Sequence, residues 1–134
     1  MASIDMTLMN VALNMVRDGL KGDVADLEIK YIAIGDDDGT AIPLAATNVK
    51  LGGETFRKLV TSKTAGGVGV LTTIGILLNA EAVGVIEEIG FFAGAGAGAG
   101  ADSGILICRG YYSRVKTNIE SIQFHLVDTI TEKP

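Results

Sequence analysis

The sequence predicts a mainly β fold: an antiparallel β-sandwich of about six strands with one N-terminal α-helix. Residues 83 to 130 form three apolar runs rich in β-branched and aromatic residues, separated by glycine-rich or polar breaks, which is typical of consecutive antiparallel strands. Residues 6 to 20 instead show the spacing of an amphipathic helix. A chain of 134 residues is expected to form one domain, residues 1–134.

The helix is predicted over residues 6–20. Gly19 or Gly22 is expected to end it. Apolar side chains recur at i, i+3, i+4, i+7 and i+11, and we expect this stripe to cover one side of the sheet: Met9, Ala12, Leu13, Val16 and Leu20. Because methionines on so short a helix suit an adaptable docking surface, Met9 and Val16 are candidate interface residues.

From Leu27 the apolar period changes to two, and the β-sandwich is predicted over residues 27–130. The predicted strands are 27–34, 56–63, 68–78, 83–92, 104–112 and 119–130, with a long irregular connection over 40–53, a turn at 65–67 and a polar loop at 113–118. Residues 93–101 alternate alanine and glycine. We expect a flexible loop joining two strands there, with a packed contact to another chain as the alternative.

Two strands differ in how their faces are used. In the last strand Ile122, Phe124 and Leu126 share one face, which is predicted to be core. The strand at 83–92 is apolar on both sides, so it is either central in the fold or covered by a neighbouring subunit. Phe91 and Phe92 are therefore candidate interface residues, and we expect an obligate homo-oligomer, specifically a trimer.

Glu87 and Glu88 form a like-charged pair inside this apolar strand. A carboxylate in such surroundings needs a partner, because an isolated buried charge is very costly. Glu87 has the parity of Val85 and Ile89, so it is predicted to be buried or interfacial, and Glu88 to be the more exposed of the two. Arg109 is the leading candidate partner, with the strand-associated arginines as alternatives: Arg57 and Arg114.

Three groups of residues raise the question of chemistry. Asp36, Asp37 and Asp38 could bind calcium, but they lack the alternate ligand positions of an EF-hand, so a solvated turn is predicted. Ser121, His125 and Asp128 do not form a hydrolase triad: the first two would lie roughly 13 Å apart along a strand, and Asp128 would point to the opposite face. Cys108 is predicted to be an inert core thiol, and no cofactor or catalytic residue is expected.

Composition restricts the partners. A net charge of −5 argues against nucleic acid, whose binding depends on Lys and Arg. The single cysteine excludes an internal disulfide, and no zinc-ligand spacing is present. The N-terminus shows no signal-peptide pattern, and the longest uncharged stretch, 64–80, is broken by glycines and threonines. We therefore expect a soluble product of a reducing compartment with no membrane partner.

Four segments read I-K-Y-I-A-I-G, F-R-K-L-V-T-S, I-E-E-I-G-F-F and Y-S-R-V-K-T-N-I-E-S-I-Q; they are Ile29–Gly35, Phe56–Ser62, Ile86–Phe92 and Tyr112–Gln123. They resemble the recurring elements of a family of small tailed-bacteriophage virion proteins, often labelled tail-fibre proteins. The resemblance extends over most of the chain, and its motifs are structural rather than catalytic.

This resemblance implies a non-enzymatic virion protein, made in the bacterial host cytoplasm and assembled in multiple copies as a tail-fibre or baseplate component. The implied partners are other copies of the chain and further virion proteins, of the baseplate, the tail or the major capsid shell. A capsid decoration protein is the alternative, because the chain is short for a fibre shaft with a receptor-binding tip. A host-surface carbohydrate-binding module is disfavoured by the scarcity of aromatic residues and the absence of Trp.

Overall fold

Two antiparallel sheets and one helix make up the fold in the computed structural model, which describes residues 3–131. The elements are β1 (Met6–Leu8), α1 (Asn10–Lys21), β2 (Ile29–Gly35), β3 (Glu54–Leu59), β4 (Ser62–Ala65), β5 (Val70–Leu77), β6 (Gly84–Ala93), β7 (Ile105–Lys116) and β8 (Ile122–Thr129). The larger sheet has the order β1-β7-β6-β2-β3 and the smaller one β4-β5-β8. The prediction of a mainly β antiparallel sandwich with one N-terminal helix is confirmed.

The main core lies between the two sheets. Gly75 of β5 lets the sheets approach closely, since a Cβ atom there would lie 2.6 Å from Cδ1 of Ile32 on β2. Phe124 of β8 packs edge-to-face on Tyr112 of β7, with ring centroids 5.3 Å apart. As predicted, β8 alternates: Phe124 and Leu126 are buried, whereas Gln123 and His125 are exposed.

A second apolar cluster covers the outer face of the five-stranded sheet: Met9, Ala33, Leu51, Phe92 and Leu106. It is closed by the long connection between β2 and β3 and by the start of α1. Strand β6 is therefore central and apolar on both faces, with Phe91 in the inter-sheet core and Phe92 in the outer cluster. Of the two alternatives predicted for this strand, the structure bears out the central position, and the chain itself buries Met9, Phe91 and Phe92.

Three boundaries differ from the prediction. Residues Met6–Leu8 pair with β7 as a short strand, so the helix begins only at Asn10. Its last residue is Lys21, and Gly22, with a left-handed φ of 95°, caps it. The strand predicted at 56–63 is two strands, β3 and β4, because the chain passes from one sheet to the other at Val60 and Thr61. Strand β7 extends to Lys116 and takes up most of the predicted polar loop.

Candidate functional site

The most unusual side chain is Arg109, which lies on β7 at the outer face of the five-stranded sheet and is 0% exposed. Its Nε donates to Glu88 Oε1 at 2.9 Å, and Nη2 donates to Asp37 Oδ2 at 3.2 Å. Nη1 donates to Asn48 Oδ1 and to the carbonyl oxygen of Ile42, both at 2.9 Å. A guanidinium presents its donors in a fixed planar fork, so these four bonds fix the β2–β3 connection at three residues and join it to Glu88 of β6.

Glu88 is the buried counterpart of this arginine and is also 0% exposed. Besides Arg109, its carboxylate accepts bonds from the backbone N–H groups of Gly52 and Gly53, each at 2.8 Å, and of Asp37 at 3.1 Å. Glycine is required where the backbone comes so close: a Cβ atom on Gly35 would lie 2.4 Å from Glu88 Oε2. The charge is thus compensated by one cation and three backbone donors.

Asp37 lies in the connection between β2 and β3 and is the second carboxylate that binds Arg109. Its carboxylate accepts backbone N–H bonds from Gly39 at 3.1 Å, Ala41 at 3.0 Å and Ile42 at 2.9 Å. These bonds, of which that from Ala41 contributes most, together with the charge of Arg109, hold the pKa of the Asp37 carboxyl below its usual value. Asp37 is therefore ionised and fully engaged at neutral pH.

The acidic turn is only in part as predicted. Asp36 and Asp38 are exposed, but Asp37 is buried, so the solvated-turn interpretation is wrong for that residue. Both Asp37 oxygens already accept protein donors, which leaves them unsuited to a cation. Within residues 3–131 no group of three or more His, Cys, Asp or Glu side chains could hold a metal ion.

The pairing of the two glutamates is reversed relative to the prediction. Glu88, not Glu87, is buried with Arg109; Glu87 is partly exposed. Two features cause this reversal. A bulge between Ile86 and Glu88 in the β6–β7 ladder lets Ile86 and Ile89 both face the inter-sheet core, so Glu87 does not share the face of Ile89. Glu88 has the parity of Phe92 and lies on the outer face, which the β2–β3 connection covers.

The two alternative arginines bind elsewhere. Arg114 pairs with Glu120 at the exposed end of β7. Arg57 of β3 binds Glu54 through Nε at 2.7 Å, and its Nη1 donates to the carbonyl oxygens of Gly98 and Ser103 at 2.9 Å. Its guanidinium carbon stacks 4.4 Å from the ring centroid of Phe92. The predicted loop at 93–101 does join two strands, and Arg57 ties it to the sheet.

Lys116, at the end of β7, is a third buried cation. Its ammonium donates to the carbonyl oxygens of Leu78 at 2.9 Å, Asn79 at 3.0 Å and Thr117 at 3.2 Å. Each of three cationic side chains holds a connection between strands in place, and we refer to them as the loop-anchoring cations: Arg109, Arg57 and Lys116. Each sits on the five-stranded sheet and holds a connection by its carbonyl oxygens or carboxylates.

The inter-sheet core contains a thiol and a carboxyl group. Burial, with a smaller contribution from Asp128, raises the pKa of the Cys108 thiol to about 12, so the predicted inert thiol is consistent with the structure. Asp128 faces inward from β8, and burial raises its pKa as well. Among residues 3–131, Asp128 Oδ2 and the hydroxyl of Thr73 accept or donate no hydrogen bond. His125 lies on the opposite face of β8, in agreement with the rejection of a triad.

Helix α1 packs with a different face from the one predicted. Ala12 and Met15 are buried, whereas Leu13, Val16 and Leu20 are 55%, 43% and 86% exposed. Leu27 extends this exposed surface, because its side chain lies beside Gly19. We refer to Leu13, Val16, Leu20 and Leu27 as the α1 patch. Val16, a predicted interface residue, is thus open to contact with another molecule.

Comparisons with protein-family models, curated proteins and solved structures return no match for this chain. Among the described residues, no helix is long and apolar enough to cross a membrane.

Proposed function

We propose that this chain is a non-enzymatic structural protein of a tailed-bacteriophage virion, assembled in multiple copies as a tail-fibre or baseplate component. The single observation that carries the proposal is the α1 patch, four aliphatic side chains on and beside α1 that are between 41% and 86% exposed. The resemblance of four segments to small virion proteins supplies the class of assembly. The virion is accordingly the proposed location, after synthesis in the host cytoplasm.

The apolar arc of α1 is wider than the part of the helix that packs against the rest of the domain. At about 100° per residue, the side chains from Met15 through Ala12, Val16 and Leu20 to Leu13 span roughly 160°, whereas a stripe of about 100° is enough to dock a helix on a core. Only the Ala12 and Met15 side of this arc is buried. Four uncovered aliphatic side chains in one patch are typical of a surface that another protein subunit covers.

The loop-anchoring cations support a building-block role. The arginines and carboxylates that could have formed a reactive site instead bond to each other and to loop backbone, which fixes the connections of the sandwich. A rigid body with fixed loops and an uncovered aliphatic patch suits a repeated mechanical part. The same properties suit a capsid decoration protein, which would use the α1 patch to cement major capsid subunits, and this remains the second candidate.

Two measurements test the proposal. Light scattering of the purified chain should give a multiple of 13.9 kDa, with the trimer as the expected multiple. The double variant Val16→Glu/Leu20→Glu should reduce the mass to that of a monomer, whereas Leu59→Glu, at an exposed leucine of β3, should not. A monomer at about 100 μM before any substitution would contradict assembly through the α1 patch.

The second measurement is antibody labelling of virions of a phage that encodes this chain, viewed by electron microscopy. Label on the tail supports the tail-fibre or baseplate role, and label on the head supports decoration. Purified virions that carry no label, with the chain detectable only in the infected cell, would refute both.

A further inference from the structure

Within residues 3–131, the strands of the three-stranded sheet place no Asp, Glu, Lys or Arg on its outer face. The ladder registers place ten side chains on this face: Ser62, Thr64, Val70, Thr72, Ile74, Ile76, Gln123, His125, Val127 and Thr129. The charged residues of the same strands, Lys63 and Asp128, have the opposite parity. Charged residues make up 20% of the chain and are concentrated at exposed positions in most proteins, so a solvent-facing sheet surface without one is unexpected.

The composition of this face is that of an interface. Three aliphatic residues, Val70, Ile74 and Ile76, lie along the middle strand with Thr72 among them, and Val127 beside Thr72 is 59% exposed. The other side chains of the face carry hydroxyl, amide or imidazole groups, and a charge-depleted centre with polar surroundings is typical of protein contacts. Most of the ten residues are β-branched, and such side chains have one preferred χ1 rotamer, so they lose little conformational entropy when they are covered.

We propose that this face binds the same face of a second copy of the chain. Each copy has a net charge of −5, so two copies repel each other and can approach closely only through a surface that adds no like charges. A basic partner would instead be recognised by acidic side chains, and this face has none. Two such faces related by a two-fold axis would stack about 10 Å apart, as the two layers of a sandwich do.

The size of the face determines the strength of the contact. Two strands of eight residues and one of four, about 4.8 Å apart with about 3.3 Å per residue, cover roughly 320 Å² on each copy. This is less than half of the roughly 800 Å² per partner of a standard stable interface. The contact is therefore weak between free molecules and becomes effective when other contacts, such as the α1 patch, raise the local concentration of copies.

Opposite charges introduced at the centre of the face provide the test. Ile74 is central in the middle strand and only partly buried, so Ile74→Glu and Ile74→Lys should both fold. The α1 patch is removed from this test by placing Val16→Glu/Leu20→Glu in every protein compared. Sedimentation velocity between about 10 and 500 μM should then show a concentration-dependent doubling of mass for the chain that is unaltered at Ile74. Each variant alone should associate at least tenfold more weakly, because identical charges then oppose each other. An equal mixture of the two variants should recover the association.

Val115→Glu is the matched control, since Val115 is 69% exposed on the five-stranded sheet and should leave the doubling unchanged. If the Ile74 variants do not fold, Val127→Glu and Val127→Lys replace them. Equal sedimentation of the unaltered chain and the single variants, or a mixture that does not recover, would overturn the proposal. The α1 patch is tested by separate substitutions, so the failure of either contact is distinguishable from the failure of the other.

Discussion

Replacing Glu88 by alanine should be among the most damaging single changes in this protein. The substitution leaves the Arg109 guanidinium buried without its main counter-charge and deprives three backbone N–H groups of their acceptor. Breaking a buried ion pair by removing one partner typically costs about 3–5 kcal/mol. A domain of this size has a total stability of about 5–15 kcal/mol, so we expect the melting temperature to fall by about 10–20 °C.

The neighbouring residue provides the control. Glu87→Ala removes the same side chain from a partly exposed position and should change stability by less than about 0.5 kcal/mol. Glu88→Gln, which keeps the shape but not the charge, should fall between the two. Urea unfolding measures all three, and hydrogen exchange at Gly52 and Gly53 should accelerate in Glu88→Ala alone. Small and equal losses in the Glu87 and Glu88 alanine variants would refute the assignment of the buried pair.

Three further predictions concern single groups. Millimolar Ca²⁺ should leave the melting temperature unchanged, because the Asp37 oxygens are occupied; a rise of several degrees that Asp37→Ala abolishes would reveal a cation site. Asp128→Asn should raise the melting temperature at pH 7, because the raised pKa of Asp128 means that its ionised form destabilises the fold. The difference in melting temperature between Asp128→Asn and the unaltered chain should disappear as the pH falls through the raised pKa of Asp128 towards 3.8, because the Asp128 carboxyl is then protonated. A difference in melting temperature that does not change with pH would show that the charge of Asp128 is not the cause. Arg57→Ala should increase proteolysis within residues 96–103 relative to Arg114→Ala, which removes a surface arginine; equal cleavage would show that Arg57 does not hold this loop.

Regular alternation made part of the fold predictable. In β8 the residues Phe124 and Leu126 are separated from their polar neighbours by a strict period of two, and this strand was predicted correctly. The same rule failed in β6, because one bulge reverses the parity between Ile86 and Ile89, and a bulge has no composition of its own. Arg109 is the predicted partner of a buried glutamate, but that glutamate is Glu88, which lies on the outer face that the β2–β3 connection covers.

Long-range contacts account for the other differences. Nothing local distinguishes Asp37 from Asp36 and Asp38; it is buried because Arg109, 72 positions later, reaches it. Met6–Leu8 lies within the helix predicted over residues 6–20, and only the long-range pairing with β7 makes it a strand. The surface of α1 was misjudged in the same way, since periodicity identifies an apolar arc but not which half of it the sheet covers.

The Arg109 network also has a consequence for synthesis of the chain on the ribosome. The segment from Asp37 to Gly53 is held by side chains of Glu88 and Arg109, so it cannot adopt its final conformation until both have left the exit tunnel. At about 5–20 residues per second, the 72 positions between Asp37 and Arg109 correspond to roughly 4–14 s of translation. The nascent chain therefore carries an unanchored acidic loop for at least this interval. Because Arg109 lies on β7, the loop reaches its final conformation only on a sheet that already contains this strand.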